Sequence, residues 1–196
     1  INLGRESSEG FYFTKFNDLV LFIAKDSNGD TELYKYDSNN DSVELILNIN
    51  KIDNGVSDVY TSASTEKGVF FTAKDERFGD ELWITDGTAL GTKIIRDIEP
   101  GKNGSYPKIY GYSEKLKKII FSAFNSNTGY EFYVSDGTPQ GTYLLLDIYT
   151  GPGSGAIPFA VVASDLFYFV GTSPSTGEHI YSTDGTVNGT KRATPT

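Results

Sequence analysis

Asp-Gly-Thr occurs three times in this sequence of 196 residues, and each copy is followed two residues later by Gly-Thr. A carboxylate, a hydroxyl and a glycine at this spacing could form a metal-binding loop or a turn that exposes a nucleophile. They also suit the corner of a hairpin, because glycine adopts a positive φ at little cost and aspartate accepts nearby backbone N–H groups. The residues are Asp86, Gly87 and Thr88; Asp136, Gly137 and Thr138; and Asp184, Gly185 and Thr186, with Asp37 at the same place in a first, altered copy.

The repetition favours the corner over the chemical site. A catalytic group rarely needs to be copied in every repeat, whereas a turn that shapes each repeat does. The first copy reads DSNNDSV, which a turn tolerates more readily than a metal site. We therefore predict that Asp-Gly-Thr joins the third and fourth strands of each repeat.

The anchoring aspartates recur with a period of 48 to 50 residues, so four units fill the chain, at approximately 1–49, 50–98, 99–148 and 149–196. Each unit contains four short apolar or alternating segments separated by turn residues. Such a unit is too small to bury its own faces, so neighbouring units must stack. The sequence predicts one all-β domain, 1–196, that forms a β-propeller of four blades with four antiparallel strands each. A ring shared between two chains, or a piece of a longer array, remains an alternative.

The second unit illustrates the predicted strands, which are placed at 59–64, 68–74, 81–86 and 92–98. In the first segment of the four units, one column holds small residues, as a narrow central axis would require: Thr14, Ser62, Gly111 and Val162. Trp83 aligns with a tyrosine in each other unit, which favours packing between blades over a binding platform.

Composition excludes several classes of function. The net charge of -9, without a basic cluster, is a poor match for nucleic acid. The absence of cysteine excludes disulfides, thiolate nucleophiles and sulfur-ligated metals. No stretch approaches the roughly 18 apolar residues of a transmembrane segment. Because the chain has no methionine, we expect that a leader has been removed or that the chain is part of a longer protein.

Residues 81–88, ELWITDGT, resemble the ELWxxDGT-repeat proteins, with looser copies at 131–138 and 179–186. Such repeats occur in large secreted or surface-exposed bacterial proteins and are similar to propeller blades. The resemblance implies a propeller and a secreted or cell-surface location, but little about ligand or reaction. The four-bladed size is also similar to hemopexin-like domains, although the flanking disulfide pattern of that family is absent here.

Two sets of residues are weak candidates for holding a cation. Asp26, Asn28 and Asp30, with Asp37 at the twelfth position, have the oxygen ligands of a calcium loop. The glycine, however, falls at the fourth position instead of the sixth, so a turn is the better interpretation. No cofactor is required, although the acidic surface could hold calcium or another cation.

The second set is a column of ionisable residues that begins each third strand: Glu32, Glu81, Glu131 and His179. These residues could form a ring of ligands, but third strands should lie away from a propeller axis, so we predict local pairing. One histidine without cysteine does not make an ordinary zinc site.

Ligand binding is predicted on the face that holds the connections between blades, because these loops vary while strands hold the ring. The exposed polar and aromatic candidates there are Asp53, Asp75, Arg77, Lys102, Asn103 and Tyr106. Aromatic rings flanked by amides suit sugars.

The sequence thus predicts a non-catalytic extracellular module for binding or structure, which recognises glycans or surface proteins, as in adhesion. No set of nucleophile, base and orienting group stands out. The alternatives are a carbohydrate-active hydrolase or lyase with carboxylates on the loop face, and a self-associating component of a surface array.

Overall fold

A computed structural model describes residues 11–26, 29–49 and 62–193, with the backbone alone for 11–13. Within these ranges every regular element is a β-strand, and the sixteen strands form four antiparallel sheets of four strands. None of the described residues belongs to a helix that could cross a membrane. In each sheet, or blade, the strands are adjacent in the order of the sequence.

The chain divides into two compact units, Ile1–Gly104 and Ser105–Thr196. The first unit contains two blades. Blade 1 consists of β1 (Phe11–Phe16), β2 (Leu19–Lys25), β3 (Thr31–Asp37) and β4 (Ser42–Leu47). Blade 2 consists of β5 (Ala63–Thr65), β6 (Gly68–Asp75), β7 (Gly79–Thr85) and β8 (Lys93–Arg96).

The second unit contains the other two blades. Blade 3 consists of β9 (Lys108–Ser113), β10 (Lys118–Asn125), β11 (Gly129–Ser135) and β12 (Tyr143–Leu146). Blade 4 consists of β13 (Ala156–Ala163), β14 (Leu166–Ser173), β15 (Gly177–Thr183) and β16 (Lys191–Arg192).

Burial along the strands follows their place in the blade. The second strands β6 and β10 are buried over five or six consecutive positions, which explains their continuous apolar sequences. The fourth strands are more exposed, since they lie at the sheet edge. One core cluster joins Phe16, Phe71 and Trp83 in the first unit, and another joins Phe132 and Phe169 in the second.

The third and fourth strands of three blades share an irregularity at equivalent positions. The pairing shifts after Leu33 in blade 1, after Leu82 in blade 2 and after Phe132 in blade 3. A bulge adds one residue to one strand and changes the direction of the chain. Because the bulge recurs, the residue before the paired leucine or phenylalanine of the third strand has an equivalent position opposite the end of the fourth strand in all three blades.

The small residues of the first strands contact one another within each unit. Thr14 Oγ1 lies 2.9 Å from Ser62 Oγ in the first unit. In the second unit, a Cβ on Gly111 would lie 2.9 Å from a methyl carbon of Val162. Small residues at these positions thus permit close approach of adjacent blades in the same unit.

The predicted fold class, an all-β propeller with four blades of four antiparallel strands, is confirmed. The predicted strands 68–74, 81–86 and 92–98 correspond to β6, β7 and β8. The predicted strand 59–64 overlaps β5 at its end, and its first residues lie outside the described ranges. Trp83 is buried in the core of the first unit.

Candidate functional site

The Asp-Gly-Thr residues form a closed hydrogen-bonded corner. In blade 2, Asp86 Oδ1 accepts both the N–H of Thr88 at 2.9 Å and its hydroxyl at 2.7 Å. Thr88 Oγ1 in turn accepts the N–H of Gly91 at 3.0 Å, while the hydroxyl of Thr92 donates to Thr88 O at 2.7 Å. The hydrogen bond to Thr88 holds the pKa of Asp86 below its usual value. The carboxylate is therefore already bonded inside its own turn.

The two glycines of the motif have different physical roles. Gly87 has a φ of 85°, which glycine adopts without strain. At Gly91 the constraint is space, because an added Cβ would lie 2.0 Å from Asp86 Oδ1. The motif needs a second glycine because the aspartate carboxylate packs directly against it.

Blades 3 and 4 repeat this geometry almost bond for bond. Asp136 and Asp184 accept the same pair of bonds from Thr138 and Thr186. Blade 1 retains only the bond from the N–H of Asn39 to Asp37 Oδ1, at 2.9 Å. Such self-contained bonding is that of a structural corner.

Asp26 and Asp30, the described candidates of the calcium loop, are hydrogen-bonded to each other. Asp26 Oδ1 accepts the N–H of Asp30 at 3.0 Å, and the N–H of Asp26 donates to Asp30 O at 2.8 Å. Asn28 lies outside the described residues. Across the described part of the chain, no cluster of three or more histidine, cysteine, aspartate or glutamate side chains could hold a metal ion.

The column of ionisable residues pairs locally within blades. Glu32, Glu81 and Glu131 are at most 1% exposed, and each accepts a backbone N–H from the segment after its fourth strand. His179 is half-buried, and its Nε2 lies 2.7 Å from Thr176 O in the preceding turn. Burial raises the pKa of both Glu32 and Glu131 to about 7.

Of the predicted loop-face residues in the first unit, Lys102 lies with its backbone carbonyl packed against Gly79, at the end of the turn that holds Asp75 and Arg77. Asp75 was expected to be exposed but is 6% exposed, because it closes a turn and binds Arg77 through two side-chain hydrogen bonds of 3.0 and 3.1 Å. Burial alone would raise the pKa of Asp75, but the hydrogen bonds and charge of Arg77 outweigh it and lower the pKa. Lys102 and Asn103 are exposed, and Asp53 lies outside the described residues.

Tyr106 does line a cavity, within the second unit. The cavity has a volume of about 360 Å³, which is in the range of small-molecule sites. Its walls, here called the tyrosine groove, are Tyr106, Lys108, Tyr110, Ser122, Tyr130, Ser154, Ala156 and Pro158.

The backbone brings these residues together from two blades. Lys108 and Tyr110 alternate on β9 and therefore share a face, as do Ala156 and Pro158 on β13. Tyr106 has a φ of 48° and is 53% exposed, so its ring stands at the mouth of the groove.

The groove is held by hydrogen bonds from its walls. Tyr110 Oη lies 3.0 Å from Ser122 Oγ, and the N–H of Tyr130 donates to Ser154 Oγ at 3.0 Å. Burial raises the pKa of Tyr110 above its usual value, and burial followed by the charge of Tyr106 raises that of Tyr130. Both phenols are therefore neutral near pH 7, able to donate and accept hydrogen bonds.

Sequence reasoning identified Tyr106 and missed the other walls of the groove. The alternation of Lys108 and Tyr110 was a usable signal, because it places a charged and an aromatic residue on one face of a strand. Ser154 and Pro158 carried no such signal, since their place depends on how β13 packs beside β9.

No known family model matches the sequence, and no curated protein matches it either. Among solved structures, the chain is similar to TolB from Acinetobacter baumannii, with a TM-score of 0.50 and 14% identity over 91% of this chain and 41% of that one. It is also similar to a prolyl endopeptidase, with a TM-score of 0.54 and 15% identity over 90% of this chain and 24% of that one. A puromycin hydrolase gives a TM-score of 0.54 and 11% identity over 91% of this chain and 28% of that one.

The chain thus spans less than half the length of each of these proteins. At such low identities the likeness concerns the fold alone. The four sheets and these neighbours together show that the chain has a β-propeller fold.

Proposed function

We propose that this chain is a non-catalytic, extracellular propeller module that binds a glycan in the tyrosine groove. The observation that supports this is the convergence of three tyrosines, one lysine and two serines on one cavity of about 360 Å³. The resemblance of residues 81–88 to ELWxxDGT repeats supports membership of that bacterial surface family and a secreted or cell-surface location.

The groove has the chemistry that a sugar ring needs. One face of a pyranose is a patch of C–H groups that stacks on an aromatic ring, while its hydroxyls bond to polar groups around the edge. Tyr106 and Tyr130 are 53% and 37% exposed, so their rings are accessible. The hydroxyl of Ser122 and the phenol of Tyr110 lie beside them.

Lys108 favours a sugar that carries a negative charge. It is the one charged residue among the groove-lining residues that the structure describes, and its Nζ lies 5.9 Å from the centre of the Tyr110 ring. A carboxylate or sulfate on the glycan would pair with this ammonium group. We therefore expect uronic-acid or sulfated oligosaccharides to bind more tightly than neutral ones.

Titration calorimetry with matched neutral and uronic-acid oligosaccharides tests the proposal. Tyr106→Ala removes an accessible ring, so the dissociation constant of the uronic-acid oligosaccharide should rise roughly tenfold or more, as on loss of an aromatic anchor. Phe159→Ala is the control, because Phe159 is 58% exposed on β13 but does not line the groove. Equal loss in both variants, or binding unchanged in Tyr106→Ala, would contradict the proposal.

The hydrolase and array alternatives predict other results. A hydrolase would release new reducing ends and lose this activity in Asp53→Asn or Asp75→Asn. The bonding of Asp75 to Arg77 argues against such a role, because both carboxylate oxygens of Asp75 are already engaged. A surface array predicts that the solution mass rises with concentration, whereas the binding module predicts a mass independent of concentration.

A further inference from the structure

A fully buried acid lies behind the tyrosine groove with only one of its oxygens bonded. Glu131 Oε1 accepts the N–H groups of Tyr149 at 3.1 Å and Gly155 at 2.9 Å. Glu131 Oε2 is buried and has no hydrogen-bond partner among the described residues. Because a buried polar atom without a partner is costly, this oxygen calls for an explanation.

Asp147 presents a second such oxygen. Asp147 Oδ2 accepts the N–H of Gly151 at 3.2 Å, whereas Oδ1 is buried and unbonded among the described residues. Phe132 pairs with Leu146, the last residue of β12, and the same register continued by one residue sets Glu131 opposite Asp147. The charge of Asp147 also acts on Glu131, as expected for close neighbours. Opposed side chains in an antiparallel pair have Cβ atoms roughly 4.5–5.5 Å apart, close enough for their carboxyl groups to meet.

We propose that Glu131 and Asp147 share one proton between Oε2 and Oδ1, and that protonated Glu131 is a positioning residue for the tyrosine groove. A single O–H between the two acids gives both unbonded oxygens a partner. It also removes one of two like charges from a buried site.

The electrostatics of the site agree with this assignment. Burial raises the pKa of Glu131 to about 7, backbone N–H groups oppose the rise, and the charge of Asp147 adds to it. Across β10 the partner of Glu131 is the uncharged Ala123, and β13 carries no ionisable side chain. Tyr143 of β12 donates to Gly185 O instead, which leaves the phenol of Tyr149 and the carboxyl of Asp147 as the ionisable neighbours.

Blade 1 offers a natural variant of the same pair. The pairing of Leu33 with Leu47 places Glu32 opposite Asn48. Glu32 Oε1 and Asn48 Oδ1 are both buried without a partner among the described residues. The side-chain amide of Asn48 has its own N–H donors, so this pair is satisfied either by a protonated Glu32 or by an N–H of Asn48 turned toward the carboxylate. Blade 1 therefore repeats the buried polar pair, and the proton is argued for blade 3, where both partners are acids.

One loop connects the Glu131–Asp147 pair to the tyrosine groove. The loop of residues 149–155 donates two N–H groups to Glu131, and it carries Ser154, whose Oγ accepts the N–H of Tyr130. Loss of the proton would leave two buried charges, which movement of this loop toward solvent would relieve. Sugar affinity should then fall as pH rises through 7; this consequence rests on the proposed function, whereas the shared proton does not.

Carboxyl ¹³C NMR on the whole chain without ligand tests the shared proton. The resonance that disappears in Glu131→Gln should titrate with a midpoint near 7 in the native chain. Asp147→Asn should move this midpoint to lower pH, because it removes the neighbouring charge. Glu178→Gln, at an exposed position of β15, is the control and should leave the midpoint unchanged.

Thermal unfolding gives a second measurement. Glutamine keeps an oxygen for the two N–H groups and offers an N–H to Asp147, so Glu131→Gln should lose less stability between pH 5.5 and pH 8 than the native chain. A Glu131 midpoint below 5 would overturn the proposal. So would a stabilisation by millimolar calcium chloride at pH 8 that Glu131→Gln abolishes, because this would identify a cation site. These measurements use no sugar, so they remain informative if the groove binds none.

Discussion

The two ends of the third strand differ in how their polar groups are satisfied. In blade 3, Asp136 follows β11, and its carboxylate is engaged inside an eight-residue corner. Glu131 lies near the start of the same strand, and its partners are 18 and 24 residues away in the sequence. The corner is therefore locally determined, whereas the acid end depends on the loop that leads from blade 3 to the next blade of the same unit.

This contrast separates structure from function in the repeats. The corner recurs in three blades with nearly the same bonds, as a shared structural device does. The loops at the acid end differ in sequence from blade to blade, and one of them contributes Ser154 to the groove. Loops that vary on a fixed scaffold are where binding residues concentrate.

The largest expected effect concerns the acid end of blade 1 and is read through Trp83, the single tryptophan of the chain, which is buried in the same unit. Glu32 has a pKa of about 7 when folded against an ordinary value of 4.5. The contribution of neutral Glu32 to the free energy of unfolding is complete below about pH 4.5 and is lost as pH rises through 7. At pH 8 Glu32→Gln should therefore be more stable than the native chain by on the order of 3 kcal/mol and should unfold at a higher temperature. At pH 4.5, where Glu32 is neutral in the folded chain and about half-protonated in the unfolded chain, the two proteins should unfold at similar temperatures.

The control for this prediction is Glu76→Gln, which changes the same charge at an exposed position. An equal gain in both variants would attribute the effect to net charge. A gain in Glu32→Gln that is the same at pH 4.5 and pH 8 would also contradict the assignment.

A smaller effect is expected from crowding the corner. Gly91→Ala places a Cβ 2.0 Å from Asp86 Oδ1, and overpacking of this kind costs about 2 kcal/mol. The loss should appear in denaturant unfolding followed by Trp83 fluorescence. If the carboxylate of Asp86 is what the new Cβ meets, Asp86→Ala should lower the free energy of unfolding less in the Gly91→Ala variant than in the native chain. Simple additivity of the two substitutions would refute this explanation.

The smallest effect should come from one hydroxyl of the corner. Thr88→Val removes the hydroxyl that donates to Asp86 and accepts from Gly91, so the free energy of unfolding should fall by about 1 kcal/mol. Thr88→Ser keeps the hydroxyl and should retain most of the stability. Equal losses in the two variants would show that the methyl group, and not the hydrogen bonds, matters.

The blades and corners could be predicted because their determinants are close in sequence. Every bond of the blade 2 corner joins residues between Thr85 and Thr92, and the repeat period fixes the strands around it. The sequence also shows the aligned column of Glu32, Glu81 and Glu131, but not that these acids are buried. Their burial depends on the bulge between the third and fourth strands and on the loop that follows.

The groove could be predicted only in part for the same reason. Tyr106 is recognisable as an aromatic residue in a loop, and its role as a wall follows from the position of β13 beside β9. Asp75 illustrates the opposite error, because a charged residue near a turn suggests exposure, whereas a bidentate partner two residues later permits burial.

Amide hydrogen exchange at Gly141 and Gly155, measured in one sample across pH, tests the contrast between the two ends most directly. The N–H of Gly141 donates to Thr138 in the corner, and that of Gly155 donates to Glu131 in the acid end, each at 2.9 Å. The Gly155 N–H also donates to Tyr130 O at 3.0 Å, so its protection reports on the position of the whole loop. After correction for the intrinsic exchange rate, protection at Gly155 should fall by up to about tenfold per pH unit as pH rises from about 4.5 to 7 and level off above 7, while protection at Gly141 stays constant. Protection that changes in parallel at both amides, or at neither, would contradict the account.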